Sequence, residues 1–288
     1  MKTSNIRCFV SRKGLPDMPA DLTALKSTLS WAIPVPDRTE IPDSFKSEYD
    51  LHFKADEAPY ILYNPIQDHL RSLSDEKLIC LVPDRLVILA ANHSPFICKF
   101  SDVVYFRQEE ELLAYSLTIL TQTDEVRIDY NAACADLFEP VISHLRIRGE
   151  TAKTGHAEWQ RLSELARQDL KFTNYARQVL RDSGNLSDLV YQPELVVDNQ
   201  TIVDTSLLLL TETELCWVCN ERKEWINEPV YGGVFSIAGR AAIAGHEIIS
   251  AADNGLYQLI ITLLGNYHWR IPFTADRREA IEKLLQSL

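Results

Sequence analysis

Val126-Arg127-Ile128-Asp129-Tyr130-Asn131 returns 143 residues later as Trp269-Arg270-Ile271-Pro272-Phe273-Thr274. The match continues without a gap, placing Phe138, Ile142 and Leu145 on Ile281, Leu285 and Leu288, and Asp136 on Glu279. Tyr115-Ser116-Leu117 precedes the first segment as Tyr257-Gln258-Leu259 precedes the second. Upstream, Leu81–Leu89 aligns with Leu210–Val218 at a spacing of 129, so the offsets of 129 and 143 leave 14 more residues in the second copy, within Asn220 to Asn254. A unit this long can bury a core of its own, so the chain reads as a duplicated domain rather than a solenoid of short units.

The length agrees, since 288 residues suffice for about two domains. Residues 45–148 and 183–288 each carry a net charge of −7, and residues 149–182 between them carry +1. This divides the chain into an N-terminal extension (1–44), a first domain (45–148), a linker (149–182) and a second domain (183–288). The total of −12 disfavours nucleic acid and anionic membranes as partners. Met1–Leu15 has basic residues but no apolar run, so no secretory leader is expected. The apolar run Leu86–Ala91 is far short of the roughly 20 residues a spanning helix needs. Six scattered cysteines are too sparse for a disulfide scaffold, and a reduced, cytoplasmic protein is expected.

Each copy is mostly β. Tyr60–Tyr63, Leu78–Val82 and Leu86–Leu89 read as strands, the last two forming a hairpin around Pro83-Asp84-Arg85. Phe96–Phe100, Val103–Arg107, Leu112–Leu120 and Val126–Tyr130 are further strands. Pro65–Leu73 is expected to make one or two helical turns, with Asn64 as cap. After Tyr130 the period changes: Ala133, Leu137, Val141 and Leu145 recur every four residues and predict a closing helix, with Pro140 inside it. Trp159, Leu162, Ala166, Thr173, Ala176 and Leu180 place one or two helices in the linker, ended by Ser183-Gly184-Asn185. In the extension, Asp21 with Leu22, Leu25 and Leu29 predicts a short helix, and Pro34, Pro36 and Pro42 predict extended backbone.

Antiparallel strands closed by one C-terminal helix resemble the pleckstrin-homology-like fold, a bent β-sandwich or split barrel plugged at one end. Leu81-Val82-Pro83-Asp84-Arg85-Leu86-Val87-Ile88-Leu89 resembles the hairpin of bacterial PH-like and GRAM-type domains. The second copy keeps the layout in Leu210–Leu215, with Glu214 where the first has Arg85. The resemblance covers about residues 55–148 and 186–288. It implies an α+β protein of two PH-like domains joined by a helical linker, and a binding module whose ligand the fold leaves open. Phosphoinositide binding would ask for a basic cradle, and Arg85 instead has Asp84, Asp75 and Glu76 nearby in sequence.

Chemistry-bearing motifs are incomplete. Cys216-Trp217-Val218-Cys219 lies in a strand rather than at a helix N-terminus, and no second C-x-x-C completes a zinc site. His246-Glu247-Ile248-Ile249-Ser250 begins like H-E-x-x-H but ends in serine. Gly149–Thr154 lacks the glycine before lysine of a phosphate loop and reads as linker. Glu109-Glu110-Glu111 reads as a solvated turn. Trp217, Trp225, Tyr231 and Trp269 read as core. Glu228 to Gly245, rich in glycine and alanine, could admit a partner closely or merely curve the sheet.

No catalytic, metal or cofactor residues and no cofactor are therefore expected. The expected function is non-enzymatic interaction with a protein or peptide, for which an exposed sheet edge offers a route. Peripheral lipid binding is the alternative, and an enzyme with an unrecognised site between the domains is the third reading.

Overall fold

The computed structural model describes residues 31–54, 57, 59–69, 72–91, 93–146, 156–183, 185–220, 232–251 and 255–288. The expected Asp21–Leu29 helix, Gly149–Thr154, Cys8, Trp225 and residues 228–231 lie outside the described residues. The first half comprises β1 (Ile33–Pro34), α1 (Asp43–His52), β2 (Tyr60–Asn64), β3 (Gln67–His69), β4 (Ser72–Ser74), β5 (Lys77–Leu81), β6 (Arg85–Ala90), β7 (Phe96–Lys99), β8 (Val103–Glu111), β9 (Ala114–Thr121), β10 (Glu125–Asn131) and α2 (Ala135–Leu145). Helices α3 (His156–Gln168) and α4 (Leu170–Ser183) follow. The second half comprises β11 (Leu186–Gln192), β12 (Leu195–Val197), β13 (Gln200–Val203), β14 (Ser206–Thr211), β15 (Glu214–Cys219), β16 (Gly232–Gly239), β17 (Ile243–Ala251), β18 (Leu256–Leu263), β19 (His268–Thr274) and α5 (Arg278–Leu285).

The class is α+β with antiparallel sheets, and among the described residues no sheet closes into a barrel. The same element order runs through both halves. Strands β6 and β15 stand 129 residues apart, β8 and β17 stand 140 apart, β9 and β18 stand 142 apart, and β10 and β19 stand 143 apart. Most of the extra length of the second copy therefore falls before β17, and the rest in the two turns after it.

Burial explains the two kinds of strand. β5 and β14 are buried along their whole length because both faces are covered, so they read as unbroken apolar runs. One face of β5 and β6 packs under α1 through Phe45, Tyr49 and Phe53. The other faces β8–β10, whose inward residues Phe106, Leu117, Ile128 and Tyr130 meet Phe138 and Val141 of α2. In the second half, α3 and α4 lie on β14–β16 in the place that α1 holds in the first. The opposite face of β14–β16 meets β17–β19 and Ile281, Leu284 and Leu285 of α5. By contrast β10 and β19 have alternating burial, as strands with one wet face do.

The halves are not separate bodies. Strand β8 pairs with β16 over seven residue pairs, from Gly232↔Glu111 to Ala238↔Tyr105, making one seven-stranded sheet in the order β10-β9-β8-β16-β15-β14-β11. The segment expected as a linker is helical over 156–183, and it is no spacer. Leu165, Phe172, Ala176 and Val179 are buried in the same core cluster as the first half.

Two local expectations are corrected. Within Pro65–Leu73, Gln67–His69 and Ser72–Leu73 are not helical but belong to the paired strands β3 and β4. So short a run gains too few helical hydrogen bonds to repay nucleation, whereas strands find cross-strand partners at once. Glu109-Glu110-Glu111 is not a turn but the end of β8, which turns only at the exposed Leu112-Leu113. The seven-pair ladder with β16 holds the charged run in the strand.

Gly232 is required by this seam. Its φ is +139°, and a Cβ there would lie 1.7 Å from the Glu110 carbonyl oxygen. Gly232→Ala is expected to lose about 1–3 kcal/mol of stability in urea unfolding. Gly245→Ala, where a Cβ meets nothing within 4 Å, should stay within about 0.5 kcal/mol of the parent.

Candidate functional site

The junction of the halves encloses a cleft of about 420 Å³, lined by Phe100–Val104, Gln122, His144–Arg146, Gly239, Ala241, Ala242 and Leu264. Arg146, which lines it, is held in a buried ion pair with Glu214, the two side chains being 4% and 1% exposed. The guanidinium donates to both carboxylate oxygens at 2.7–3.1 Å and to the Val179 carbonyl at 3.0 Å. One side chain thus ties the end of α2 to the start of β15 and to α4. Glu214 is the counterpart of Arg85, which in the first half pairs with Glu57 at 2.9 Å. The reversal of sign that the sequence displays is therefore a change of partner within two structural ion pairs.

The cleft contains little chemistry. Ser101 donates to its neighbour Asp102 at 3.0 Å, and His144 Nδ1 contacts the Pro140 carbonyl of its own helix at 2.8 Å. No hydroxyl–imidazole pair forms among these residues. Among the described residues no group of three or more His, Cys, Asp or Glu could hold a metal ion. Cys216 is buried in the first core, where burial raises its thiol pKa, the opposite of a redox nucleophile. No helix among the described residues is long and apolar enough to cross a membrane.

Trp269 is buried in the second core with Trp217 half-buried beside it at 6.4 Å between ring centroids. In the glycine-rich stretch, Gly233 is needed for close packing, since a Cβ there would lie 2.9 Å from the Tyr175 ring. Gly232 and Gly233 thus serve the seam.

The more open surface is the edge of β17. Strands β8 and β17 occupy equivalent places, and β8 has neighbours on both sides, β9 and β16. Strand β17 pairs with β18 alone, so its other edge carries no strand among the described residues. His246, Glu247, Ile249 and Ser250 on it are exposed. A free edge presents unpaired N–H and C=O groups to any extended segment that reaches it.

No protein-family model matches the chain, and no curated protein sequence matches it.

Sequence reasoning missed the Arg146–Glu214 pair and the β8–β16 seam. The usable signal was the acid at 214, in the position of Arg85 and at the head of a strand buried on both faces.

Proposed function

We propose that this chain is a non-enzymatic interaction protein built from two PH-like units, and that it takes an extended segment of a protein partner as an added strand on β17. The observation that carries this reading is the seam: the same edge of the first unit, β8, already accepts an antiparallel strand over seven residue pairs. The order of strands followed by one helix in each half supports the PH-like assignment. The occupant is a foreign strand rather than β7 of a second copy. Strand β7, the counterpart of β16, has four residues against eight and follows Pro95, which lacks an amide donor.

The test uses the full chain, because the halves share a sheet. Glu247→Pro and Ile248→Pro place the missing N–H on opposite sides of β17, and the variant with parental thermal unfolding is the edge-blocked one. Partners captured by the parent from native lysate should bind that variant at least about tenfold more weakly, about 1.4 kcal/mol. Equal capture by the edge-blocked variant would overturn the strand-addition reading. Binding to anionic vesicles in sedimentation, with no protein captured, would replace it with the lipid reading.

A further inference from the structure

Glu110, Tyr115 and Tyr130 stand side by side on adjacent strands β8, β9 and β10, in register on the face that meets α2. The equivalent row in the second half is Ser250, Tyr257 and Phe273 on β17, β18 and β19. There a cation sits on the row: the Arg278 guanidinium lies 5.0 Å above the Tyr257 ring. Arg278 opens α5, and the residue that opens α2, 143 positions earlier, is Ala135. The first half thus keeps an aromatic pair, edge-on where Tyr257 and Phe273 stack, lacks the arginine, and has a carboxylate where the second half has serine.

That carboxylate has unused capacity. Glu110 Oε1 accepts from Gln108 Nε2 at 2.9 Å and Gln178 Nε2 at 2.8 Å, whereas Oε2 has no partner among the described residues. The Tyr130 hydroxyl is buried without a hydrogen-bond partner, on a ring that stacks on Phe138 at 3.9 Å and meets Tyr115 edge-on at 5.8 Å. Burial raises the Glu110 pKa, and burial followed by the Glu110 charge raises that of Tyr130. On the helix that carries Gln178, Lys171 contacts Asn220 at 2.7 Å and Arg181 contacts Glu139 at 3.4 Å. Glu110, Tyr115 and Ala135 are each partly exposed to solvent, whereas Tyr130 is fully buried behind them.

We infer that Glu110 and Tyr115, backed by the buried Tyr130, form a receptor for an organic cation, an alkylammonium or guanidinium group that takes the place Arg278 fills over Tyr257 in the second half. The Tyr115 ring attracts the charge and covers the alkyl part, and Glu110 Oε2 accepts its N–H. The source is a free alkylamine or the side chain of a lysine or arginine on another protein. This inference does not depend on strand addition at β17.

Isothermal titration of the full chain at about 0.15 M salt tests it, a concentration that screens diffuse attraction to the acidic surface. The probes are n-butylamine, spermidine, an acetylated lysine-containing tetrapeptide and n-pentanol as the neutral control. The amines should bind saturably and n-pentanol should not. Glu110→Gln should weaken binding at least about tenfold. Ala135→Arg, which copies the second half, should fill the site from within and abolish binding, with circular dichroism unchanged. Tighter binding of the peptide than of the free amines assigns the ligand to a partner's side chain, and the reverse order assigns it to a small molecule. Failure of every amine to saturate by about 10 mM overturns the inference, as does equal binding by the parent and a folded Ala135→Arg.

Discussion

Replacing Arg146 by methionine is expected to lower the free energy of unfolding by about 3–5 kcal/mol, read as a fall in the urea midpoint at constant slope. The methionine fills much of the space but leaves the Glu214 carboxylate buried with its strongest donors gone. An uncompensated buried charge is among the costliest single defects a protein can carry. The double variant Arg146→Met, Glu214→Leu removes both charges and should recover most of the loss, since a buried pair is often no more stabilising than well-packed apolar groups. A single variant with parental stability would show that the pair is hydrated and that α2, β15 and α4 are not clamped there. The pair joins elements of both halves, so the loss should appear in one transition of the whole chain.

Phe172→Ala should cost about 3–5 kcal/mol, the range for emptying a buried aromatic site. Phe172 is 1% exposed, faces Tyr175 and Tyr191 at 5.5 and 5.9 Å between ring centroids, and lies in the core cluster that spans both halves. Trp159→Ala on the preceding helix removes a larger side chain that is 54% exposed, and should change stability by less than about 0.5 kcal/mol. The contrast separates two meanings of a helical connection. A tether would tolerate both substitutions alike, whereas a structural layer tolerates only the second. Urea unfolding of the two variants side by side is sufficient.

Local structure was legible where its physical signal is local. Helix α2 was readable from Leu137, Val141 and Leu145, because a period near 3.6 places them on one side of any helix. The recurrence of β10 at β19 was readable residue by residue, because alternation survives in both. Glu109–Glu111 was misread because three adjacent acids look like a solvated turn when their neighbours are unknown. In the fold, Glu109 meets Arg107 at 2.9 Å and Arg127 at 3.1 Å, and Glu110 is held by Gln178 from a helix 68 residues away. The β17 edge was foreseen only as an exposed edge of unspecified position. The Glu110 row escaped notice because its members come from three strands, and Ala135 carries meaning only beside Arg278.

The sequence alone determined the mostly β character of each half, most strands of the first half, the helix that follows Tyr130 and the recurrence of that pattern later in the chain, since these follow from side-chain period and hydropathy. The tertiary structure decided that β8 joins β16 while β17, among the described residues, has no second neighbour, that 156–183 is a layer of the core, and that Arg146 meets Glu214. The physical reason is that backbone donors and acceptors are the same at every strand edge. Side-chain pattern marks a strand without naming its neighbour, and the neighbour is chosen only when the packed layers bring two edges to the same place.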